Sequence, residues 1–290
     1  SFQPPSWRYD LDRPVDLIEE LAKHYGFNNF ESTLPIGISK NNVGEYWHLK
    51  KALTDKLISM NLYEIQTLSF VSDESNKIFT PEKVSVEINN PIDQTNKYLR
   101  SNLYTSLIDT YQKNYDQNNK SEMFFEINNV FDAGEHATYD AIPNQVYSLS
   151  GLVPSFTTSP DTREDPTTHD IYYLKNILNN CFGNLTFKQM QKPGFHQNIS
   201  FLIMKNNSII GHFGQLSSQL EKSYEFKNQI YLFNIDLTTI NFSDLDNINY
   251  KALSPYPFVK FDLSFNVKNG FNAQELIDEV EKILINNENI

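Results

Sequence analysis

Four carboxylates near the start of the chain have the types and spacing to do chemistry. Asp16, Glu19 and Glu20, with Lys23, recur at i, i+3, i+4 and i+7. At ~100° per residue, that spacing places them on one side of a helix. Asp10 lies just upstream. Four such oxygen donors could hold a hard divalent cation, since Mg²⁺ takes few protein oxygens and keeps its waters. On spacing alone the commoner reading is a solvated acidic face that favours the positive end of a helix, since such faces are frequent and metal sites are not. Spacing alone leaves both readings open.

The element that must position them spans Pro4–Phe27. Asp12 or Arg13 suits a helix cap and Pro14 the first turn, where no intrahelical donor is needed. Gly26 suits the left-handed position past the end. Leu17, Ile18, Leu21 and Tyr25 fall opposite the acids, so the predicted helix is amphipathic, with Asp10 in a segment running back alongside its start.

No other constellation competes. The histidines His169, His196 and His212 have no second ligand at metal spacing. Cys181 reads as a buried small hydrophobe, and Ser69 and Ser106 have no nucleophile context. There is no glycine-rich phosphate loop. The only arginines are Arg8, Arg13, Arg100 and Arg163.

The 290 residues are 39% hydrophobic, enough for a packed core rather than disorder. The formal net charge of −12 argues against a main nucleic-acid surface, because phosphate contacts need a basic field. No apolar run approaches the ~20 residues of a membrane span. A lone cysteine and the lack of a signal-like opening lead to the expectation of a reducing cytoplasm.

Along the chain, residues 28–46 read as a connector. A helix is predicted over Glu45–Met60, with Leu49, Leu53 and Leu57 every four residues and Asn61 at its end. Strands are predicted at Thr67–Val71, Val84–Ile88, Met123–Phe131, Val146–Val153 and Gln229–Asp236. A helix runs to about Asn114, and a loop rich in Pro, Ser and Thr covers 154–169. Asp170 caps a further helix ending near Phe182, and a hairpin turns at Asn206–Asn207. Phe258–Val267 reads as a strand and Ala273–Ile285 as an amphipathic helix. The strands alternate with few helices and mostly hairpin-like gaps, which argues for an α+β domain on a largely antiparallel sheet.

Several runs resemble the β subunit of bacterial phenylalanyl-tRNA synthetase. Pro5, Ser6, Trp7, Arg8 and Asp10, then Asp16, Leu17, Glu19, Glu20, Ala22, Tyr25 and Gly26, match its Pro-Ser-Trp-Arg-x-Asp and Asp-Leu-x-Glu-Glu-x-Ala-Arg-x-Tyr-Gly runs, with Lys23 where Arg is usual. TLSF at Thr67–Phe70, Asn90–Ile108, FEINNVF at Phe125–Phe131, KPGFHQNIS at Lys192–Ser200 and GHFGQL at Gly211–Leu216 match in the same order. Asn102, Asn128 and Gln197 depart from the pattern. Near the end Pro257, Val259 and Asp262 match Pro-x-Val-x-Arg-Asp, but Phe261 replaces the Arg.

The resemblance implies an α+β fold: a class II aminoacyl-tRNA synthetase-like antiparallel sheet flanked by helices, with partial flanking domains. Residues 1–40 would end a metal-binding domain, 44–245 would be a catalytically inactive synthetase-like core, and 248–290 would start a truncated ferredoxin-like anticodon-binding domain. It assigns Asp10, Asp16, Glu19 and Glu20 to Mg²⁺ at the contact with the α subunit. It implies an (αβ)₂ heterotetramer that uses ATP to charge tRNA(Phe) with phenylalanine, the tRNA being met through the full complex. It assigns no catalytic residue here, because the Arg-x-Glu loop and the Gly-rich strand ending in Arg are missing. The rival expectations are a stand-alone scaffold on a degenerate synthetase core, and an active ligase with its own ATP site.

Overall fold

The computed structural model describes residues 3–34, 44–134, 142–155, 168–240, 245, 260, 262, 264–268, 271 and 273–285. The chain divides into two compact units, Ser1–Asp246 and Asn247–Ile290.

The first unit opens with helix α1 (Pro14–Tyr25) and a 3₁₀ turn at Phe27–Asn29. Pro14 occupies the first helical position, and Gly26 ends the helix at φ 89°, where a Cβ would be strained. Helix α2 (Glu45–Ser59) buries Leu49, Leu53 and Leu57, and Asn61 takes φ 64° as it leaves the helix. Then come β1 (Leu62–Glu64), β2 (Phe70–Val71), α3 (Asp73–Phe79), β3 (Val86–Glu87), β4 (Tyr98–Leu99) and α4 (Tyr104–Asp116). The remainder is β5 (Met123–Asp132), β6 (Asn144–Pro154), α5 (Ile171–Phe182), β7 (Thr186–Gln189), β8 (Phe195–Lys205), β9 (Ser208–Leu216), α6 (Ser218–Ser223) and β10 (Ile230–Asp236).

Seven strands form the main sheet in the order β1-β5-β6-β10-β9-β8-β7. Only β1 runs parallel to its neighbour. Asn206 and Asn207, at φ 51° and 64°, turn the β8–β9 hairpin, since asparagine tolerates left-handed backbone. A Cβ at Gly214 would overlap the Ile199 carbonyl, so β9 can lie against β8 only with glycine there.

The sheet is covered on both faces. Leu53 and Leu57 of α2 and Leu174, Ile177 and Leu178 of α5 pack on Phe125, Leu149 and Phe233. Leu107, Ile108 and Tyr111 of α4 pack on Phe124, Leu152 and Leu232 opposite. Phe124 and Phe125 are thus buried on opposite faces of one strand. A small second sheet, in the order β2-β4-β3, stands apart from the first.

Three strand expectations shrink or fail. Thr67–Val71 pairs only at Phe70–Val71, because the Thr67 backbone N–H and hydroxyl turn instead to Glu126. Val84–Ile88 pairs only at Val86–Glu87, opposite a two-residue partner. In the second unit the described residues of Phe258–Val267 (260, 262 and 264–267) are not in a strand. Helix α7 spans Ala273–Ile285, as its amphipathic pattern predicts. The loop at 156–167 and the connector at 35–43 lie outside the described residues.

Candidate functional site

The acidic face of α1 forms as predicted, but its carboxylates are engaged by the chain's own cations. Arg8 Nη2 reaches Asp10 at 2.7 Å and Glu20 at 2.9 Å, tying the upstream segment to the helix. Lys23 Nζ lies 2.9 Å from Glu19 and 3.3 Å from Glu20. Asp16 accepts hydrogen bonds from the backbone N–H groups of Arg13 (2.8 Å) and Asp12 (3.1 Å), closing the helix start. The Arg8 hydrogen bond holds the Asp10 carboxyl down at about 2. Glu20 is lowered first by the same arginine, and Asp16 by the Arg13 N–H. Among the described residues no three carboxylate, histidine or cysteine side chains converge on one point. As they stand, Arg8 and Lys23 occupy the side of these carboxylates that an ion would need.

The opposite side of α1 is apolar and uncovered. Ile18, Leu21 and Tyr25 are each at least 60% exposed, and Trp7 is 71% exposed.

The sheet holds a second polar feature that spacing did not reveal. Glu126, Ser150, Asn234 and His212 are paired register positions on β5, β6, β10 and β9, and so form one row across the α4 face. At one end Arg100 and Glu126 are fully buried as an ion pair of 3.0 Å. Arg100 also donates to the Asn129 carbonyl (3.1 Å) and the Thr67 hydroxyl (2.8 Å), and Thr67 donates to Glu126. Burial pushes the Arg100 pKa down, while Glu126 opposes the shift. In mid-row the Asn234 amide donates to the Ser148 and Ser150 hydroxyls. A polar residue on every strand of an otherwise apolar stretch was the available signal.

The remaining candidates behave as structural residues. Cys181 is buried, and its thiol is pushed up to about 12 by desolvation. His169 stacks on Tyr173 with ring centroids 3.8 Å apart. His196 Nδ1 accepts a bond from the Asn198 N–H at 3.3 Å. Arg8, upstream of α1, and Arg13, at its cap, are engaged by the α1 acids, and Arg163 lies outside the described residues. No arginine therefore projects from the described sheet to meet a phosphate.

The phenylalanyl tRNA synthetase beta chain CLM domain model matches residues 30–237. The chain belongs to that family. The tRNA synthetase B5 domain model matches residues 1–27, the stretch carrying the four carboxylates. The phenylalanine–tRNA ligase beta subunit of Carboxydothermus hydrogenoformans is 28% identical over 97% of this chain and 36% of its own length. That of Thermotoga maritima is 25% identical over 96% of this chain and 35% of its own length. The chain thus spans about a third of the length of these relatives. Among solved structures, a pyrrolysyl tRNA synthetase from Desulfitobacterium hafniense superposes with a TM-score of 0.50 at 12% identity, covering 69% of each chain. The fold is therefore that of a class II synthetase core, an α+β sheet flanked by helices. No helix among the described residues is long and apolar enough to cross a membrane.

Proposed function

We propose that this chain is a non-catalytic part of a phenylalanine–tRNA ligase β subunit. It supports ATP-dependent charging of tRNA(Phe) in the cytoplasm by assembling with a catalytic α subunit as an (αβ)₂ heterotetramer. Residues 1–40 would end its B5 domain, 44–245 form its synthetase-like core, and 248–290 begin an anticodon-binding domain.

The state of Arg100 carries this reading. Adenylation places negative charge on the α-phosphate in the transition state, and preorganised cations there supply much of the rate. The one arginine of the described sheet domain is spent on Glu126, with no exposed surface. Losing a single such group typically costs ~10²–10³ in rate. Phenylalanine-dependent pyrophosphate exchange is the test. None is expected from the purified chain, and exchange is expected once α and full-length β subunits are supplied. Exchange by the chain alone, surviving stringent purification, would overturn the scaffold reading.

Asp10, Asp16, Glu19 and Glu20 are proposed to take Mg²⁺ in that complex, supported by the B5 match, the shared helix side of the last three and the Arg8 bridge that brings Asp10 to Glu20. Arg8 and Lys23 must then give way to the ion. Mn²⁺ titration beside the α subunit should show weaker binding in Glu19→Gln/Glu20→Gln and tighter binding in Arg8→Ala. Equal affinity in all three proteins would sink the assignment.

A further inference from the structure

The face of the sheet that carries α4 contains a recess of about 200 Å³ where the polar row ends at His212. Tyr104 forms part of its floor from the first position of α4, with its ring 5.7 Å from that of His212. Tyr104 is only 2% exposed, yet its hydroxyl has no hydrogen-bond partner. His212 Nε2 is equally shielded and equally unpartnered. Buried polar atoms are almost always satisfied, so two orphans lining one recess point to a missing group.

The charges around the recess indicate the sign of that group. Lys192 lines it, with Glu82 as its opposing charge rather than as a close ion pair. Lys83 also lines it, 3.7 Å from Asp132. Two carboxylates are present as well. Glu82 sits on the exposed rim, and Asp236 is engaged by the Thr238 N–H at 2.9 Å and the Thr238 hydroxyl. Burial first, then the charges of Lys192 and Lys83, push His212 below its ordinary value, so two cations act at the floor.

We propose that this recess binds a small oxyanion, a carboxylate or phosphate group on a compact body. Tyr104 Oη and His212 Nε2 donate to it, the imidazole proton lying on Nε2, and Lys192 Nζ supplies the counter-charge. The assignment stands apart from phenylalanine activation and requires no catalysis.

The test titrates the whole chain with sodium acetate and, separately, inorganic phosphate, against sodium chloride at matched ionic strength. The His212 ring signals are followed by NMR and assigned with His212→Gln. A saturable shift beyond the chloride control supports the site. Saturation by phosphate alone marks a phosphoryl ligand, by acetate alone a carboxylate, and by both the shared oxyanion chemistry. Tyr104→Phe removes only the hydroxyl and should weaken binding about tenfold or more, as should Lys192→Met. If Tyr104→Phe folds poorly, Lys192→Met at the mouth decides alone. No saturable shift with either anion, as for a recess holding only water, overturns the proposal. Wild-type affinity in either folded variant does the same.

Discussion

Arg100 and Glu126 lie side by side with no exposed surface, so neither charge has water to fall back on. Taking two ions out of water is costly, and Thr67 and the Asn129 carbonyl offset only part of it, since the buried Arg100 Nη2 has no partner. Removing one partner leaves the other buried and uncompensated. Glu126→Gln should therefore destabilise the fold by about 3–5 kcal/mol in chemical denaturation. The double variant Arg100→Leu/Glu126→Leu should cost clearly less than the sum of the single changes, because it leaves no stranded charge. Simple additivity would show that the two residues are not coupled. In sequence, Arg100 was legible only as an arginine without the Glu an ATP site needs. Its true partner lies 26 positions away on another strand, where no local pattern points to it.

At the scale of an element, α1 depends on its charged side. Its apolar side is uncovered within this unit, so the ion pairs and the capping Asp16 are what the described structure offers it. Arg8 depresses the Asp10 pKa to about 2 from the ordinary 3.8. A depressed carboxylate stabilises the paired form above its ordinary value, and that support is lost as pH falls through about 2. A carboxyl-carbon NMR titration should place the Asp10 midpoint near 2, and Arg8→Ala should return it towards 3.8. An unchanged midpoint in Arg8→Ala would mean that the pair does not form in solution. The helix itself was readable from Pro14, Gly26 and the acid spacing. The cations that would occupy its acidic side were not, because Arg8 reaches Glu20 only once the upstream segment folds back.

For the molecule as a whole, charge sets the terms of any encounter with RNA. A formal net of −12 repels a polyanion, and the affinity of nucleic-acid binders rests largely on neutralised phosphates. The chain alone should bind tRNA(Phe) more weakly than about 10⁻⁴ M at physiological salt, outside the usual non-specific range. Fluorescence anisotropy with labelled tRNA measures this. Micromolar binding would place an RNA surface on this chain rather than on its partners.

The sequence alone determined the periodic elements. Leu49, Leu53 and Leu57 announced α2, Asp170 announced the cap of α5, and Asn206–Asn207 announced the hairpin. Each is a local signal, carried by side-chain period or by one residue's backbone preference. The long strands β5, β6 and β10 were legible for the same reason, while β2 and β3 were placed but read too long, and the two-residue β4 was missed. A ladder that short is set by what its partner offers rather than by its own residues. Only the tertiary structure put Glu126, Ser150, Asn234 and His212 in one row. Register across four strands is a property of the sheet, and it turned a histidine without a second ligand and an isolated arginine into the two ends of one polar line.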